Sequence, residues 1–287
     1  MDENININWF PGHMAKAQRM IKDHLKLVDV VIELLDARIP YSSANPAIKD
    51  IIGDKPRVIA LNKADLADPK VTEQWIAKFR NQNIQVVAID SMSGKGTKTL
   101  VSKVEQLAKD KVNKLVNKGV NARAARAMIL GIPNVGKSSL INRLLGTATV
   151  KTADKPGVTR GKQWIKVSRN LELLDTPGVL WPKFKDIEVG LKLAFTGAIN
   201  DEVYDMEKVM NVFLKIMREE YPERLIERYN LKAELPQDSI GILEMIGAKR
   251  GCLRSGGIVD HEKVRRILLN EFRASKLGLI TLDKIID

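Results

Sequence analysis

One cysteine, three histidines and an aromatic content of 5% in 287 residues are low counts, and each removes a class of protein. Cys252 alone cannot form an intramolecular disulfide, which fits a reducing compartment. A single thiol and three imidazoles leave little material for a structural zinc site. No apolar run approaches the ~20 residues that a membrane-spanning helix needs. The opening stretch, Met1 to Asn8, is polar and acidic and lacks the basic flank and apolar core of a secretion signal. No internal repeat or low-complexity run is present. A cytoplasmic globular protein with one large core or two smaller ones, and no membrane partner, is expected.

Charge is abundant and uneven. The formal net charge is +12, from 47 basic and 35 acidic side chains. Residues 1–190 hold 31 basic and 19 acidic groups, and residues 191–287 hold 16 of each, so the whole surplus sits in the first part. It is densest from Lys95 to Arg169. Such a stretch favours a polyanionic partner, nucleic acid ahead of membrane; a solvated basic helix face is the plainer alternative.

Apolar residues at helical spacing (Met14, Ala17, Met20, Ile21, Leu25) predict an amphipathic helix from His13 to Leu27. Val28 to Leu35, Arg57 to Leu61 and Gln85 to Ile89 read as short strands, the first two β-branched and apolar as buried parallel strands are. A helix is expected from Pro69 to about Asn81, and a Lys-rich one from Thr97 to Lys118. Ala127 to Leu130 is a further strand, with a helix starting near Lys137. Gly161 to Val167 and Leu171 to Leu174 form a hairpin-like pair. This alternation implies a doubly wound α/β sheet. From Ile187 onward only helical periodicity remains, interrupted at Pro222, Pro236 and Gly251 to Gly257.

Two motifs carry chemistry. Gly131-Ile132-Pro133-Asn134-Val135-Gly136-Lys137-Ser138 follows a strand and opens a helix, as a phosphate loop must. Successive backbone N–H groups converge there on phosphate oxygens at a helix N-terminus. Lys137 is expected to reach the β- and γ-phosphates and Ser138 to ligate Mg²⁺, with Asn134, Val135, Gly136 and Ser139 completing the phosphate site. Asn62-Lys63-Ala64-Asp65 follows a strand and suits a guanine base. Asp65 offers two acceptor oxygens to adjacent N–H groups of guanine, a pairing that adenine would leave unmade. Lys63 can lay its stem along the base and Asn62 can brace the loops. Ser91-Met92 marks a second base-contacting loop, where the Met92 backbone N–H suffices. Asp175-Thr176-Pro177-Gly178 ends a strand; Asp175 is expected to hold Mg²⁺ through water and the Gly178 N–H to meet the γ-phosphate. Thr159 is the candidate that senses γ-phosphate and metal.

In an ordinary small GTPase the phosphate loop precedes the guanine motif, and here it follows. The expected fold is therefore α/β: a circularly permuted Ras-like G domain over residues 1–185, a doubly wound sheet, with a C-terminal all-α domain over residues 190–287. GTP is the expected substrate.

With Trp9-Phe10-Pro11-Gly12-His13-Met14-Ala15-Lys16-Ala17, these motifs resemble the circularly permuted GTPases of the YlqF/YawG family over nearly the whole chain. The resemblance implies a GTPase acting in late assembly of the large ribosomal subunit, stimulated by that subunit and bound to its rRNA through the helical domain. It implies that His13 takes the place of the water-orienting glutamine, since Val179 stands where Ras-like enzymes have that residue. It also implies that Asn134 completes a K⁺ site beside the phosphates. In the helical domain, Lys249, Arg250 and Arg254 are expected to touch RNA phosphate. A monomer is expected. A nucleotide-gated RNA-binding placeholder, in which hydrolysis is incidental, is the alternative.

Overall fold

Val30–Asp36 (β1) is buried at every position, as a strand covered on both faces must be. The computed structural model describes residues 12–117, 123–146, 164–174, 186–231 and 234–285. These fall into two units: 12–174 together with 281–285, and 186–280. In the first unit β1 pairs in parallel with Arg57–Asn62 (β2) on one side and Ala125–Gly131 (β4) on the other. Gln85–Ala88 (β3) extends the sheet beyond β2. Leu171–Leu174 (β6) lies parallel to β4, and Trp164–Lys166 (β5) closes the far edge antiparallel to β6. The order across the sheet is β3-β2-β1-β4-β6-β5.

That order is a cyclic shift of one doubly wound path. From β1 the chain adds β2 and β3 on one side; from β4 it builds β6 and β5 on the other. The direction of winding reverses between β1 and β4. In open α/β sheets ligands bind beyond the carboxyl ends of the strands at such a reversal. Here those ends are Asp36 and Gly131, which places the crevice beside the phosphate loop.

The helices are Gly12–Leu25 (α1), Pro46–Ile52 (α2), Pro69–Asn81 (α3), Thr97–Asn117 (α4) and Lys137–Leu145 (α5). Helix α3 starts where local chemistry dictates: the Asp68 side chain accepts from the Lys70 and Val71 amides, and Pro69 occupies the first turn. Helix α2 was not anticipated, because seven residues are too few to display a helical period. Trp75 of α3 packs with Leu35, Ile59, Leu61 and Val86 over one face of the sheet.

The second unit holds Ile187–Phe195 (α6), Met206–Glu220 (α7), Pro222–Tyr229 (α8), Ser239–Arg250 (α9) and His261–Arg273 (α10). Asp186, Asp205, Asp238 and Asp260 each cap a helix N-terminus. Phe213 sits edge-on to both Phe195 and Phe272, with ring centroids 5.1 Å apart in each pair. Buried Glu271 accepts from Arg228 Nε and Nη2 and from the Tyr229 hydroxyl, each at 2.8 Å. The sequence pattern carried this helical domain through to residue 287. In the structure the chain beyond Ile280 belongs to the sheet unit, where Thr281, Leu282 and Asp283 are buried.

At the amino ends of the strands, Asp29 is 1% exposed. It accepts from Arg123 Nη1 at 2.8 Å and Nη2 at 3.0 Å and from the Arg126 amide at 2.9 Å, with Lys111 Nζ at 3.2 Å. Burial opposes the charge, but the hydrogen bonds from Arg123, Arg126 and Lys111 together outweigh it and hold the Asp29 pKa below its usual value. A carboxyl depressed in the folded state stabilises the fold above the ordinary carboxylate range and loses that contribution as pH falls. Asp29→Ala is expected to lower the unfolding free energy by about 2–3 kcal/mol at neutral pH in urea titration. The gap from the parent protein should narrow in acid.

Candidate functional site

The phosphate loop begins where β4 runs out against β1. A Cβ on Gly131 would stand 2.6 Å from the Leu34 carbonyl oxygen, so only glycine fits there. Asn134 (φ 55°) and Gly136 (φ 102°) are left-handed, and turns of this kind form amide-lined concavities that take anions. Helix α5 then starts at Lys137 with no side-chain cap on its N-terminus, so its first-turn amides suit an anionic ligand. Lys137 is buried and folded back on its own loop, donating to the carbonyls of Gly131 (3.1 Å) and Ile132 (2.7 Å). Ser138 and Ser139 lie half-buried in the first turn of α5.

Asn62, at the end of β2, is 2% exposed and joins three loops. Its Nδ2 donates to the Val135 carbonyl at 2.7 Å. Its Oδ1 accepts from the Ser91 amide at 3.1 Å and the Ser91 hydroxyl at 2.7 Å. A Cβ on Gly136 would meet Asn62 Nδ2 at 2.3 Å, so this glycine makes the approach possible. Lys63 is left-handed (φ 59°) and its Nζ donates to the Asn134 carbonyl at 2.8 Å. The same Nζ lies 3.2 Å from Asp36 Oδ2. Residues 62–63, 91 and 134–136 thus come together although they are distant in sequence.

Asp65 is exposed beside this junction, and partial desolvation of its carboxyl, with the nearby negative charge of Asp90, raises its pKa. Asp90 accepts from the Met92 amide at 2.7 Å and the Ser93 amide at 3.2 Å. The Met92 N–H, expected from the sequence to be open to a base, is therefore taken by Asp90. The Met92 side chain is 77% exposed, and its carbonyl accepts from Arg143 Nη2 of α5. Asp36, Asp90 and Arg143 belong to the site and were not singled out from the sequence. For Asp36 the available signal was a charged residue closing an apolar strand, which must find a partner when buried; Asp90 and Arg143 carried none.

Thr159, Asp175 and Gly178 lie outside the described residues, as does Val179. His13 is helical, in the first turn of α1, and its side chain is outside what is described. Lys249, Arg250 and Arg254 stand in the second unit and are exposed. Arg250 is ion-paired with Glu271 and lies 5.9 Å from the Tyr229 ring. Arg254 is paired with Asp260 at 2.9 Å.

A family described as 50S ribosome-binding GTPase matches residues 126–240, from β4 onward, and so leaves out the guanine motif. Ribosome biogenesis GTPase A of Priestia megaterium is 52% identical over 280 residues, 97% of either chain. The chain belongs to the ribosome biogenesis GTPase A family. Its Thermotoga maritima relative of that name is 30% identical over 278 residues, 97% of this chain and 94% of that one. Mitochondrial ribosome-associated GTPase 1 of Xenopus tropicalis is 32% identical over 297 aligned residues, 96% of this chain and 94% of the other. Among solved structures, GDP-bound YlqF superposes with a TM-score of 0.67 at 27% identity, covering 94% of this chain and 100% of that one. GNP-bound YlqF from Thermotoga maritima gives 0.65 at 28%, covering 94% and 98%. The fold is a circularly permuted G domain with a helical unit, and the chain is a GTPase.

Asn62→Ala leaves the Val135 carbonyl and the Ser91 amide without their partner. With about 1.4–2.7 kcal/mol of the resulting cost falling on nucleotide binding, and the rest on the fold, GDP affinity is expected to fall by about 10- to 100-fold. Isothermal titration of a cooperatively folded variant checks this; unchanged affinity would mean that the loops are held by other bonds.

Proposed function

We propose that this chain is a GTP-hydrolysing assembly factor for the large ribosomal subunit, with rRNA or ribosome binding that depends on the bound nucleotide. The observation that carries the reading is the Asn62 junction, in which one buried side chain gathers the phosphate loop and both base loops. The relatives' names and the 50S description of the matching family support the ribosomal partner. The basic surplus of residues 1–190 fits a polyanion such as rRNA.

In this reading Asp65 accepts the two adjacent N–H groups of guanine and Lys63 lies along the base. Lys137 exchanges the Gly131 and Ile132 carbonyls for β- and γ-phosphate oxygens, and the α5 amides take the rest of the phosphate charge. Mg²⁺ bound with the nucleotide would neutralise phosphate charge; Ser138, Thr159 and Asp175 would hold it, with Gly178 at the γ-phosphate. His13 orients the attacking water, a role Val179 cannot fill. The exposed Asn134 side chain would help to hold a K⁺ ion. Lys249, Arg250 and Arg254 meet RNA phosphate, which must compete with Glu271 for Arg250 and with Asp260 for Arg254. The protein acts as a cytoplasmic monomer.

GTP turnover is expected to rise at least about tenfold on adding large subunits, and to be faster in potassium than in sodium. Absence of subunit stimulation would remove the ribosomal assignment and leave the GTPase. His13→Ala should abolish the stimulated rate while leaving GDP affinity within about twofold of the parent.

The pH dependence tests Asp65. Guanine needs its ionised form, and a raised pKa brings the proton back at a higher pH than for an ordinary aspartate. GDP affinity should therefore begin to fall, on acidification, above the usual aspartate range. Asp65→Asn should flatten that dependence in fluorescent-GDP titrations and weaken GDP at neutral pH.

A further inference from the structure

Resting on the assignment of Asn62 to Asp65 as the guanine-reading loop, we propose that the C-terminal segment Thr281 to Ile285 is a positioning element for that loop, holding it at both ends. One line of contacts runs to Lys63. The Leu282 amide donates to the Arg38 carbonyl at 2.8 Å. The Asp283 carboxylate accepts from the Ser42 amide at 2.7 Å and the Ser42 hydroxyl at 2.8 Å. These bonds fix the turn after β1, where Arg38 is buried and forks onto Asp36 through Nε (2.9 Å) and Nη2 (2.7 Å). Asp36 Oδ2 is also the oxygen that lies 3.2 Å from Lys63 Nζ. Burial opposes the charge on Asp36, but Arg38 and Lys63 outweigh it and keep its pKa far below the usual range. An ionised acid therefore stands behind Lys63.

A second line runs to the other end of the loop. Thr281 Oγ1 accepts from the Asp68 amide at 3.0 Å, and Asp68 is the cap of α3, three residues past Asp65. Trp75 Nε1 of α3 donates to the Asp283 carbonyl at 2.9 Å. Ile285 and the loop's own Ala64 pack against the same cluster of Leu61, Ala67 and Trp75. Thr281 and Asp283 are buried, and buried polar groups persist where their bonds are made. The segment thus grips Lys63 through Arg38 and Asp36, and Asp65 through the start of α3. None of these bonds is made to a phosphate-loop residue; the loop is reached only through Lys63, whose Nζ donates to the Asn134 carbonyl, so the effect falls first on the base.

The test uses the full-length protein with Thr281→Val and Asp283→Asn, both close in shape to the parent residue, and compares GDP with IDP, which lacks the guanine amino group. Each variant is expected to release GDP about tenfold faster and to lose about fivefold of its preference for GDP over IDP, while affinity for pyrophosphate stays within about twofold. Thermal melts establish that each variant folds cooperatively, and Ser42→Ala serves where Asp283→Asn does not. Release rates and base preference within about twofold of the parent in folded variants overturn the proposal, leaving the segment a structural plug. Asp65→Asn is run alongside. If it abolishes the base preference and the tail variants do not, only the positioning role is lost. If it too leaves the preference intact, the guanine assignment itself is wrong, and this inference goes with it.

Discussion

Everything at the site depends on one seam. The strands split into β1, β2 and β3 before residue 89 and β4, β5 and β6 after residue 124, and among the described residues only β1 against β4 joins the halves by strand pairing. The loop from Asn62 to Asp65, proposed to read the base, stands on one half and the phosphate loop on the other. A relative slip of the two would separate base from phosphate, so the seam has to be fixed at both ends. At the carboxyl end Asn62 and Lys63 reach across to Val135 and Asn134. At the amino end the Asp29 amide donates to the Arg126 carbonyl at 2.7 Å while the Asp29 carboxylate takes Arg123 and the Arg126 amide. Strand register alone would tolerate fraying at the two ends; these side chains remove that freedom.

The permuted order makes this constraint sharper. The partners of the carboxyl-end clasp are more than 70 residues apart (71 and 73) and those of the amino-end clasp 94 and 97. Closing loops of that length costs only modestly more than closing short ones, because the entropy grows as the logarithm of length. What the long separation does demand is specificity, since no turn chemistry presets the meeting. Glycine at 136 and at 131 supplies it by steric exclusion: each allows an approach that any side chain would block. A nucleotide bound across the seam would add to its stability, because the ligand binds only the assembled form.

This division explains how much could be read from the sequence. Features written in consecutive residues were legible: the strand, phosphate loop and helix around residues 131–138, and the start of α3 at Pro69. The inverted motif order was enough to expect a cyclically rearranged sheet. Features made by distant partners were not legible. The Asp36–Arg38 pair looks like an ordinary surface turn until the structure buries it. Engagement of the Met92 amide by Asp90 is local, yet an N–H in a loop gives no sign of which acceptor will win. The return of Thr281 to Ile285 has no periodic signature, since five residues in irregular backbone show neither helical nor strand spacing. Helix α2 escaped for the same reason of length.

Two kinds of charge then do separate work in one basic unit. Asp29 and Asp36 bury their carboxylates and take cations with them, so Arg123, Arg38 and Lys63 are spent on geometry. Salt screens such enclosed pairs weakly, because little solvent lies between the partners. The surplus that gives +12 is of the other kind. Lys95 and, on α4, Lys98 and Lys109 are exposed, and their field reaches outward over about a Debye length. A polyanion would answer to these exposed charges, while the enclosed ones hold the sheet's clasps. Ionic strength can therefore weaken the long-range attraction while leaving the clasp between the two halves of the sheet intact.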